Sequence, residues 1–449
     1  MSTTRSNHTV SRRTLLGGLT AAGTAGLFGC SGNGAGSQPA PAPAPTGTAV
    51  VGKTNLDIYA WTNGPTIDAN FRKRVDLFNK EHAGKFTAKI NFLPYDQYWQ
   101  KVQLQYAARK PFDIYYWDVQ AYAHYKRNLV FNEQPVIDTT PMMDDSAYPT
   151  KLYDPWKFDE KNLFCVPENI QSMALFYNKT HFDQAGLDYP DETWTWDKVI
   201  ETAPKLQKSA GGKVTRWGMD IGALGIWWGI QALAWAAGTA FVDKPLEPTK
   251  FQMTDPKVVE SMKYVQDMMW AKHVAPRPDE RAGIAENNGG FASGAYSMIA
   301  DGTWNIASFQ QMKEKWAMAP LPKYQGNSVA PYWLGGWVIP RQSAALTAAQ
   351  TFATWSATDF QPQMAKDHDW IPLQNAARQS QDMLRGMPEG FDAAMKNLEN
   401  ARIGDIYTAN MQQIFNEVYG TNFEQLLNNK LTPQAAAQKM QDAATKLLG

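Results

Sequence analysis

The stretch CVPENIQSMALFYNKTHFD, residues 165–183, decides the fold of this chain. Val166 and Ile170 favour an extended backbone, and Pro167 has no amide hydrogen to donate to a neighbouring strand. The apolar run that ends at Phe176 is too short for a typical helix. We therefore interpret the stretch as the strand by which the chain leaves one lobe and begins to build a second.

Three polar residues interrupt this strand near its start: Glu168, Asn169 and Gln171. A crossover between two lobes would place them along the cleft in which a ligand binds. The alternative is an ordinary strand start whose polar residues face solvent, and composition alone does not separate the two.

Upstream of this strand, the hydrophobic pattern predicts an open α/β sheet. Alternating residues favour strands at 56–61, 86–93 and 112–117, and helical periodicity favours helices near 66–82 and 96–109 between them. In such a sheet, ligands lie beyond the carboxyl ends of the strands. Candidate binding residues at these ends are Trp61, Asn63, Trp117 and Asp118.

Downstream, tryptophans cluster in segments that are predicted to be loops or strand ends. In the loop-rich segment 218–238 we expect one or two of three tryptophans in the cleft, with Trp228 preferred over Trp227 and Trp235. The remaining candidates are Asp301, Trp304, Trp333, Gly335, Gly336 and Trp337.

Glycines accompany these later aromatic residues. Gly302 permits the close turn that presents Trp304. Trp333 and Trp337 are four residues apart on one strand and are predicted to face the same way. Two glycines lie between them, and they would let the backbone approach a ligand or allow a tight fit between strands.

Composition excludes several classes of function. A chain of 449 residues predicts two lobes, and equal totals of 43 basic and 43 acidic residues make nucleic acid and anionic membrane surfaces unexpected partners. The 17 Trp, 18 Tyr and 20 Phe instead favour aromatic binding platforms. Since there are only two cysteines, neither a disulfide framework, a cysteine-rich zinc site nor a Cys-x-x-Cys redox pair is expected, and Cys165 is predicted to be a buried thiol. The histidines have no ligand-spaced partners, and we expect no metal and no cofactor.

Residues 1–30 are interpreted as an export signal. The paired arginines at 12–13 precede an apolar run that is too short to span a membrane, which is typical of a twin-arginine signal, with general secretion as the alternative. The residues before Cys30 are similar to a lipoprotein cleavage box, although Phe28 replaces the usual alanine or serine. We expect a lipid on Cys30 and a flexible tether at 31–51.

A set of short motifs follows in a fixed order over residues 55–449: the strand that ends at Trp61, PFDI at 111–114 with Trp117-Asp118, VP at 166–167 through YNK at 177–179, FASG at 291–294, APLP at 319–322 and GGW at 335–337. Together with the signal and tether, this set resembles the extracellular solute-binding proteins of carbohydrate ABC importers, the family that includes maltodextrin-binding proteins.

The resemblance implies a periplasmic-binding-protein-like α/β fold of type II, in which two lobes, each an open α/β sheet, are joined by a hinge and close around a ligand. One lobe is expected at 52–168 and 328–380, and the other at 172–322 and 388–449.

The resemblance also implies roles for individual residues. Trp117 and Trp304 match positions where maltodextrin-binding proteins stack an aromatic ring on a sugar. Gln171 stands where those proteins have a carboxylate, and Asn416 where they have another aromatic residue, so maltodextrin is not the expected ligand. Arg402 lies in a stretch that reaches the cleft in several relatives.

The implied function is that of a substrate-binding lipoprotein, not an enzyme, which captures a sugar or small oligosaccharide and delivers it to ABC permease subunits. We expect a monomer on the outer face of the bacterial cytoplasmic membrane, held there only by the lipid on Cys30. Since charged groups bond hydroxyls more strongly than neutral ones, the favoured hydrogen-bonding residues are Asp118, Glu168, Asp301 and Arg402, with Asn63, Asn169 and Gln171 in support.

Two alternatives remain open at this point. The ligand could be a glycerophosphodiester or another polyol phosphate, but phosphate requires clustered cations and Arg402 is the one candidate. A secreted glycoside hydrolase would require two opposed carboxylates, for which Asp118 and Glu168 are the candidate pair.

Overall fold

The computed structural model describes residues 54–117, 119–138, 140, 148, 152, 156–159, 162–281, 283–284, 289–368 and 370–448. The predicted signal, the tether with Cys30, and Asp118 lie outside the described residues. The strands are Asn55–Trp61 (β1), Thr87–Leu93 (β2), Ile114–Tyr116 (β3), Lys157–Asp159 (β4), Asn162–Leu163 (β5), Val166–Asn178 (β6), Lys208–Ala210 (β7), Lys213–Arg216 (β8), Met298–Gly302 (β9), Trp316–Ala319 (β10), Pro331–Val338 (β11), Ile371–Pro372 (β12) and Arg402–Ile403 (β13).

Helices surround these strands. They are Pro65–Glu81 (α1), Tyr95–Ala107 (α2), Tyr122–Lys126 (α3), Gln134–Asp138 (α4), Lys179–Ala185 (α5), Trp196–Leu206 (α6), Trp227–Ala236 (α7), Pro256–Trp270 (α8), Gly289–Ala292 (α9), Ile306–Phe309 (α10), Leu346–Ala357 (α11), Gln361–Asp367 (α12), Asn375–Arg378 (α13), Gln381–Gly386 (α14), Phe391–Lys396 (α15), Met411–Gln413 (α16), Thr421–Leu427 (α17) and Pro433–Leu448 (α18). A π-helix spans Ile414–Gly420, and short 3-10 helices span Val119–Ala121, Gly222–Gly225, Thr303–Asn305 and Asn397–Asn400. Within the described part of the chain, no helix is both long and apolar enough to cross a membrane.

Strand β6 is the element that two parts of the sheet share. Its first half, Val166 to Ser172, pairs antiparallel with β11, and Asn169 and Ile170 also pair with β12. Its second half, from Met173 onward, pairs antiparallel with β9 and β10. All thirteen residues of β6 are buried, as expected for a strand covered on both faces. The predicted crossing strand is therefore present, and it carries its polar residues in its first half.

The predicted α/β pattern upstream of β6 is confirmed. Strand β1 lies between β2 and β3, to which it is parallel, and the sheet then continues in the order β3, β11, β6, β10. Helix α1 buries Phe71, Val75 and Phe78, the predicted apolar face. This helix begins directly after Gly64, whose φ of 97° ends β1 in a turn, and Pro65 occupies its first position.

One element differs from the sequence interpretation. Residues 218–238 were expected to be loop-rich, but α7 occupies ten of them and nine of these ten residues are buried. The segment is apolar on every side, because its surroundings are protein and not solvent. A helix of this kind has no polar face, so its sequence lacks the periodicity by which a surface helix is detected.

Candidate functional site

A cavity of about 220 Å³ lies where β1, β3, β6 and β11 meet the start of α7. Its walls are mainly aromatic. The residues that line it are Trp61, Asn63, Tyr116, Trp117, Asn169, Gln171, Trp228, Trp304, Trp333, Leu334, Gly335, Trp370 and Asp405. Nine of these are predicted site residues: Trp61, Asn63, Trp117, Asn169, Gln171, Trp228, Trp304, Trp333 and Gly335.

Three half-buried tryptophans, Trp228, Trp304 and Trp333, form one continuous side of this central cavity, here called the tryptophan wall. Their ring centroids are 4.8 to 5.7 Å apart, and the ring planes meet at 42° to 67°. The indole nitrogen of Trp228 donates to the Ala223 carbonyl at 3.2 Å. The rings therefore support one another and are fixed from behind.

Glycines allow two of these rings to pack closely on the backbone. A Cβ atom on Gly302 would lie 2.3 Å from the Trp304 indole, and one on Gly404 would lie 2.4 Å from the Trp333 indole. Side chains at these two positions would displace the rings. The prediction that Gly302 permits the turn to Trp304 agrees with this geometry, whereas the role of Gly404 was not foreseen.

Asp301 shapes the same turn and does not line the cavity. Its Oδ1 atom accepts from the Gly302 amide at 2.6 Å and from Asn305 Nδ2 at 3.0 Å, and the side chain is 5% exposed. Asp301 therefore holds the backbone that presents Trp304.

Trp61 lies on another side of the cavity. Its ring meets Tyr95, Tyr98 and Tyr116 edge-on at centroid distances of 5.2 to 5.6 Å, and its indole nitrogen donates to Asn63 at 3.1 Å. Asn63 is the exposed member of the lining. The cavity therefore opens toward solvent on the side of the β1–α1 turn.

The other two lining tryptophans are almost fully enclosed. Trp117 is 2% exposed, because Trp156 and Phe164 pack against it at centroid distances of 5.0 and 4.7 Å. Trp370 is 8% exposed. Trp117 and Trp370 therefore offer little accessible surface, whereas Trp61 and the tryptophan wall have more accessible rings.

Two amide side chains of β6 form the polar part of the lining. Asn169 Nδ2 donates to the Tyr116 hydroxyl at 2.6 Å, and Gln171 Oε1 accepts from Thr303 Oγ1 at 2.6 Å. Their remaining atoms, Asn169 Oδ1 and Gln171 Nε2, are buried and have no hydrogen-bond partner among the described residues. The same holds for the indole nitrogen of Trp370. One acceptor and two donors therefore lie unsatisfied in residues that line a single cavity.

Among the described lining residues, Asp405 is the one with a charged side chain. None of these residues is a lysine or an arginine. Its carboxylate accepts from the Trp333 indole nitrogen at 3.3 Å. The lining thus combines neutral hydrogen-bonding groups with one carboxylate.

Glu168 does not reach the cavity, contrary to expectation. One of its oxygens is 2.7 Å from Arg74 Nη1, and the other accepts from Trp337 Nε1 at 2.8 Å and from the Ser356 hydroxyl. Both charged side chains are fully buried. The guanidinium of Arg74 also lies over the Phe71 ring at 4.6 Å. Glu168 is therefore a structural ion-pair partner beneath the site.

Trp337 and Gly336 also lie outside the lining. The register between β11 and β6 shifts between Gly335 and Gly336, where Glu168 is an additional residue on β6. The additional residue is on β6, so the alternation of side chains along β11 is unchanged. Trp337 is nevertheless fully buried, because Phe71, Tyr116 and Phe352 pack against its ring at centroid distances of 4.9 to 6.0 Å, and, contrary to expectation, it does not line the cavity.

The glycine pair fits between strands. A Cβ atom on Gly336 would lie 2.3 Å from the Val166 carbonyl oxygen, and one on Gly335 would lie 2.1 Å from the Tyr116 hydroxyl. Of the two readings offered for these glycines, the tight inter-strand fit matches this geometry. Cys165 lies behind Gly336 as the predicted buried thiol, and burial raises its pKa well above the ordinary value.

Arg402 is exposed, and its guanidinium lies 5.8 Å from the centroid of the Trp235 ring. It is not a lining residue, although Asp405 in the same segment is. Asn416 is also exposed. Of the three tryptophans in the former loop prediction, Trp228 lines the cavity as preferred, while Trp227 stacks on Tyr419 at 5.1 Å.

Sequence reasoning did not single out four lining residues: Tyr116, Leu334, Trp370 and Asp405. Tyr116 and Leu334 are chain neighbours of predicted residues, so strand position could have indicated them. Asp405 belongs to the segment quoted for Arg402. Trp370 follows a short helix and carries no local signal.

Comparison with known proteins agrees with this architecture. A model of the family described as bacterial extracellular solute-binding protein matches residues 60–359. The chain is 24% identical to the maltodextrin-binding protein MdxE of Bacillus subtilis over 283 residues, and 25% identical to the sn-glycerol-3-phosphate-binding periplasmic protein UgpB of Rhizobium meliloti over 248 residues. These alignments cover 60% and 52% of this chain, and the chain spans 64% and 55% of the length of these two relatives.

A solved structure is similar over most of the fold. The ABC substrate-binding protein Lmo0181 from Listeria monocytogenes, in complex with cycloalternan, has a TM-score of 0.78 to this chain at 20% identity. The similarity covers 88% of this chain and 99% of that one. The predicted two-lobe α/β fold is thereby confirmed.

Proposed function

Because the chain belongs to the family of bacterial extracellular solute-binding proteins, we propose that it captures a sugar or small oligosaccharide in the central cavity and delivers it to the permease subunits of an ABC importer. The observation that carries this proposal is one cavity that is lined both by the tryptophan wall and by Asn169 and Gln171, each of which keeps one buried amide atom without a hydrogen-bond partner among the described residues. A sugar presents flat C–H faces and a rim of hydroxyls, and these two kinds of surface match it.

Neither ring stacking nor hydrogen bonding alone would give a sugar micromolar affinity for this site. If each of three rings covers roughly 100 Å² of ligand at ~25 cal/mol per Å², stacking contributes about 7 kcal/mol. Association itself costs ~4–15 kcal/mol, whereas micromolar affinity needs about 8 kcal/mol net. Hydrogen bonds must therefore supply the balance. Asn169 Oδ1 and Gln171 Nε2 are suited to this, because a buried polar atom without a partner costs ~1–3 kcal/mol.

The polyol-phosphate alternative is supported by the UgpB relatives but not by the electrostatics of the lining. A phosphate is stabilised by arginine, lysine or a similar source of positive charge. The described lining residues include Asp405 and no basic residue. Arg402 has its guanidinium over Trp235. A neutral ligand is therefore preferred.

The glycoside hydrolase alternative loses its proposed carboxylate pair. Glu168 is buried in an ion pair with Arg74 and cannot face Asp118 across a sugar as an acid or nucleophile. The named relatives are also binding proteins and not enzymes.

Membrane attachment and lobe movement complete the proposal. A lipid on Cys30 would hold the protein at the outer face of the cytoplasmic membrane, and residues 31–51 would act as a tether. Residues 52–168 with 328–380 would close as one lobe against 172–322 with 388–449, since contacts made from both lobes favour the closed state. Mass spectrometry of the membrane-extracted protein tests the lipid, and a Cys30→Ser variant is expected to be released in soluble form.

The ligand assignment is tested by a thermal-shift screen against mono-, di- and oligosaccharides, D-mannitol and sn-glycerol 3-phosphate, followed by calorimetry. A ligand that binds the native state raises the Tm. Trp304→Ala is expected to weaken sugar binding at least tenfold with a small change in Tm. Trp316→Ala is the control, because Trp316 is also half-buried against other rings but lies outside the lining. An unchanged Kd in Trp304→Ala would falsify its role as a platform.

A further inference from the structure

We infer that the two proposed lobes are held together by a set of side chains outside the central cavity, here called the inter-lobe clasp, which strengthens the binding of every ligand by the same factor. The clasp consists of Tyr122 and Lys126 from one proposed lobe and of Glu247 and Tyr407 from the other. These four residues are not among the described lining residues of the cavity. The inference rests on the proposed function, since it uses the two lobes defined there.

Glu247 accepts the bonds that cross from one lobe to the other. Its Oε1 atom accepts from the Tyr122 hydroxyl at 2.6 Å and lies 3.1 Å from Lys126 Nζ. Tyr122 is 1% exposed, whereas the Lys126 and Glu247 side chains are 43% and 41% exposed. Because water and salt screen an exposed ion pair, the tyrosine hydroxyl is the main donor. Burial and the bond to Glu247 raise the pKa of Tyr122 well above its ordinary value, so the hydroxyl keeps the proton that it donates.

Tyr407 packs beside this hydrogen bond. Its ring centroid is 5.9 Å from that of Tyr122, and its hydroxyl accepts from the Trp156 indole nitrogen at 3.0 Å. Main-chain hydrogen bonds join Tyr407 to the loop of Glu247: the Glu247 amide donates to the Tyr407 carbonyl at 2.8 Å, and the Tyr407 amide donates to the Pro245 carbonyl at 2.7 Å. The contacts with Tyr122 and Trp156 are instead made by side chains. They can therefore separate without breaking the backbone pairing inside either lobe.

The backbone of Glu247 is held in an unfavourable conformation. Its φ of 47° lies in the left-handed region, and the following Pro248 ordinarily keeps the preceding residue extended. Asp243 fixes the loop, because its carboxylate accepts from two amides further along at 3.0 and 3.1 Å. Glycine would fit this backbone better, but it could not accept the bond from Tyr122.

The clasp acts on lobe closure and not on the ligand. A contact that forms only between closed lobes shifts the equilibrium toward the closed form. The apparent Kd of a ligand that requires this form varies inversely with the closed fraction. Breaking the clasp is therefore expected to weaken all ligands by one common factor, whereas loss of a residue that contacts the ligand affects different sugars unequally.

The first test is calorimetry with the monosaccharide and the disaccharide that give the largest thermal shifts. Tyr122→Phe, which keeps the ring, is expected to raise both Kd values by equal factors of about threefold or more. Glu247→Gly is expected to raise them at least as much with little change in Tm, because glycine suits the backbone. Lys126→Met is expected to have an effect below about twofold. The control is Tyr264→Phe, which removes a 2.7 Å hydrogen bond to Asp197 within one lobe and should leave both Kd values unchanged.

Two results of this experiment would overturn the inference. If Tyr122→Phe leaves both Kd values unchanged, the contact persists in the open form and does not favour closure. If the two factors differ, Tyr122 acts on the ligand and not on the lobes.

A ligand-free readout separates this inference from the proposed function. Spin labels on Lys101→Cys in one lobe and Glu260→Cys in the other, both at exposed positions, report the distance between the lobes of the full-length protein by pulsed electron paramagnetic resonance. Tyr122→Phe is expected to shift the distance distribution, and Tyr264→Phe is expected to leave it unchanged. A distribution that Tyr122→Phe does not alter overturns the inference, while sugar binding by the wild type still supports the proposed function. If no sugar binds the wild type, the proposed function fails, and the distance measurement still decides whether the clasp holds the lobes.

Discussion

The buried ion pair between Arg74 and Glu168 provides the sharpest test of how this site is supported. Both side chains are fully buried, and their closest atoms are 2.7 Å apart. Glu168 is also the additional residue at the β6 bulge, and it precedes Asn169 in the cavity lining. The pair therefore lies directly beneath the binding cavity, where a charge without its partner has no access to water.

Removing one partner should be far more harmful than removing both. A buried charge that loses its partner costs ~3–5 kcal/mol, whereas apolar replacement of a whole pair is often nearly neutral. For a folded body of about 400 residues, an unfolding entropy of ~2.1 cal/mol/K per residue gives ~0.8 kcal/mol/K. Glu168→Gln and Arg74→Met are therefore each expected to lower the Tm by about 4–6 °C.

The assay is a double-mutant cycle followed by calorimetric or fluorescence unfolding. The double variant Arg74→Met with Glu168→Gln is expected to be more stable than the sum of the single losses predicts, because neither charge remains unpaired. In both variants that carry Glu168→Gln, the introduced amide oxygen still accepts from Trp337 and Ser356. Strictly additive losses would refute the reasoning.

A control on the same helix separates this effect from the loss of any positive charge. Lys73 Nζ lies 2.6 Å from Asp367, but the lysine side chain is 51% exposed. Exposed pairs contribute ~0–1 kcal/mol. Lys73→Met is thus expected to change the Tm by no more than about 1 °C, and a loss equal to that of Arg74→Met would contradict the role assigned to burial.

Two further predictions concern a glycine in the lining and a buried acid. Gly335→Ala should lower the free energy of unfolding by ~1–3 kcal/mol and also weaken sugar binding, because its Cβ atom would lie 2.1 Å from the Tyr116 hydroxyl. Gly336→Ala would contact the backbone outside the lining. It should therefore lower the Tm without a matching loss of sugar affinity in calorimetry. Burial raises the pKa of Glu133 to about 8 from an ordinary 4.5. The folded state then keeps a proton that the unfolded state releases, so the stability is complete below pH 4.5 and falls by ~1.4 kcal/mol per pH unit up to about pH 8. Glu133→Gln should flatten this slope in Tm measurements between pH 5 and 8, and parallel profiles for variant and wild type would contradict it.

The elements that the sequence predicted well are those with a solvent-facing side or a strong local signal. Helix α1 was found from the spacing of Phe71, Val75 and Phe78, and β1 from its alternation. Strand β6 was found from the length and composition of one apolar run. Helix α7 was missed because it is apolar all round, so nothing in its pattern distinguished helix from buried loop.

The site was predictable to the extent that strand position determines it. Residues at the ends of β1 and β3 and along β6 and β11 line one cavity, as their positions in an open α/β sheet indicate. Trp337 has the same parity on β11 as Trp333, but Phe71, Tyr116 and Phe352 pack against its ring. Alternation predicts which face of a strand a residue occupies and not which side chains from elsewhere in the chain cover it, so counting along the strand could not reveal that Trp337 is fully buried.

The polar side chains that line the cavity are mainly neutral amides, whereas the sequence analysis favoured charged residues. Charged groups were favoured because they bond hydroxyls more strongly. In the structure, however, Glu168 forms an ion pair with Arg74 and Asp301 accepts a hydrogen bond from Asn305, and Arg402 is exposed outside the lining. A cavity with aromatic walls is a poor environment for an unpaired charge, which costs far more than an unpaired amide. Asn169 and Gln171 each keep one buried atom without a hydrogen-bond partner among the described residues, at a cost of ~1–3 kcal/mol, and under the proposed function a ligand hydroxyl would offset that cost. Neutral amides beside tryptophans are therefore a combination that this fold can keep buried without a charged partner, which agrees with the uncharged ligand that we propose, and the Trp333 indole donates to the carboxylate of Asp405.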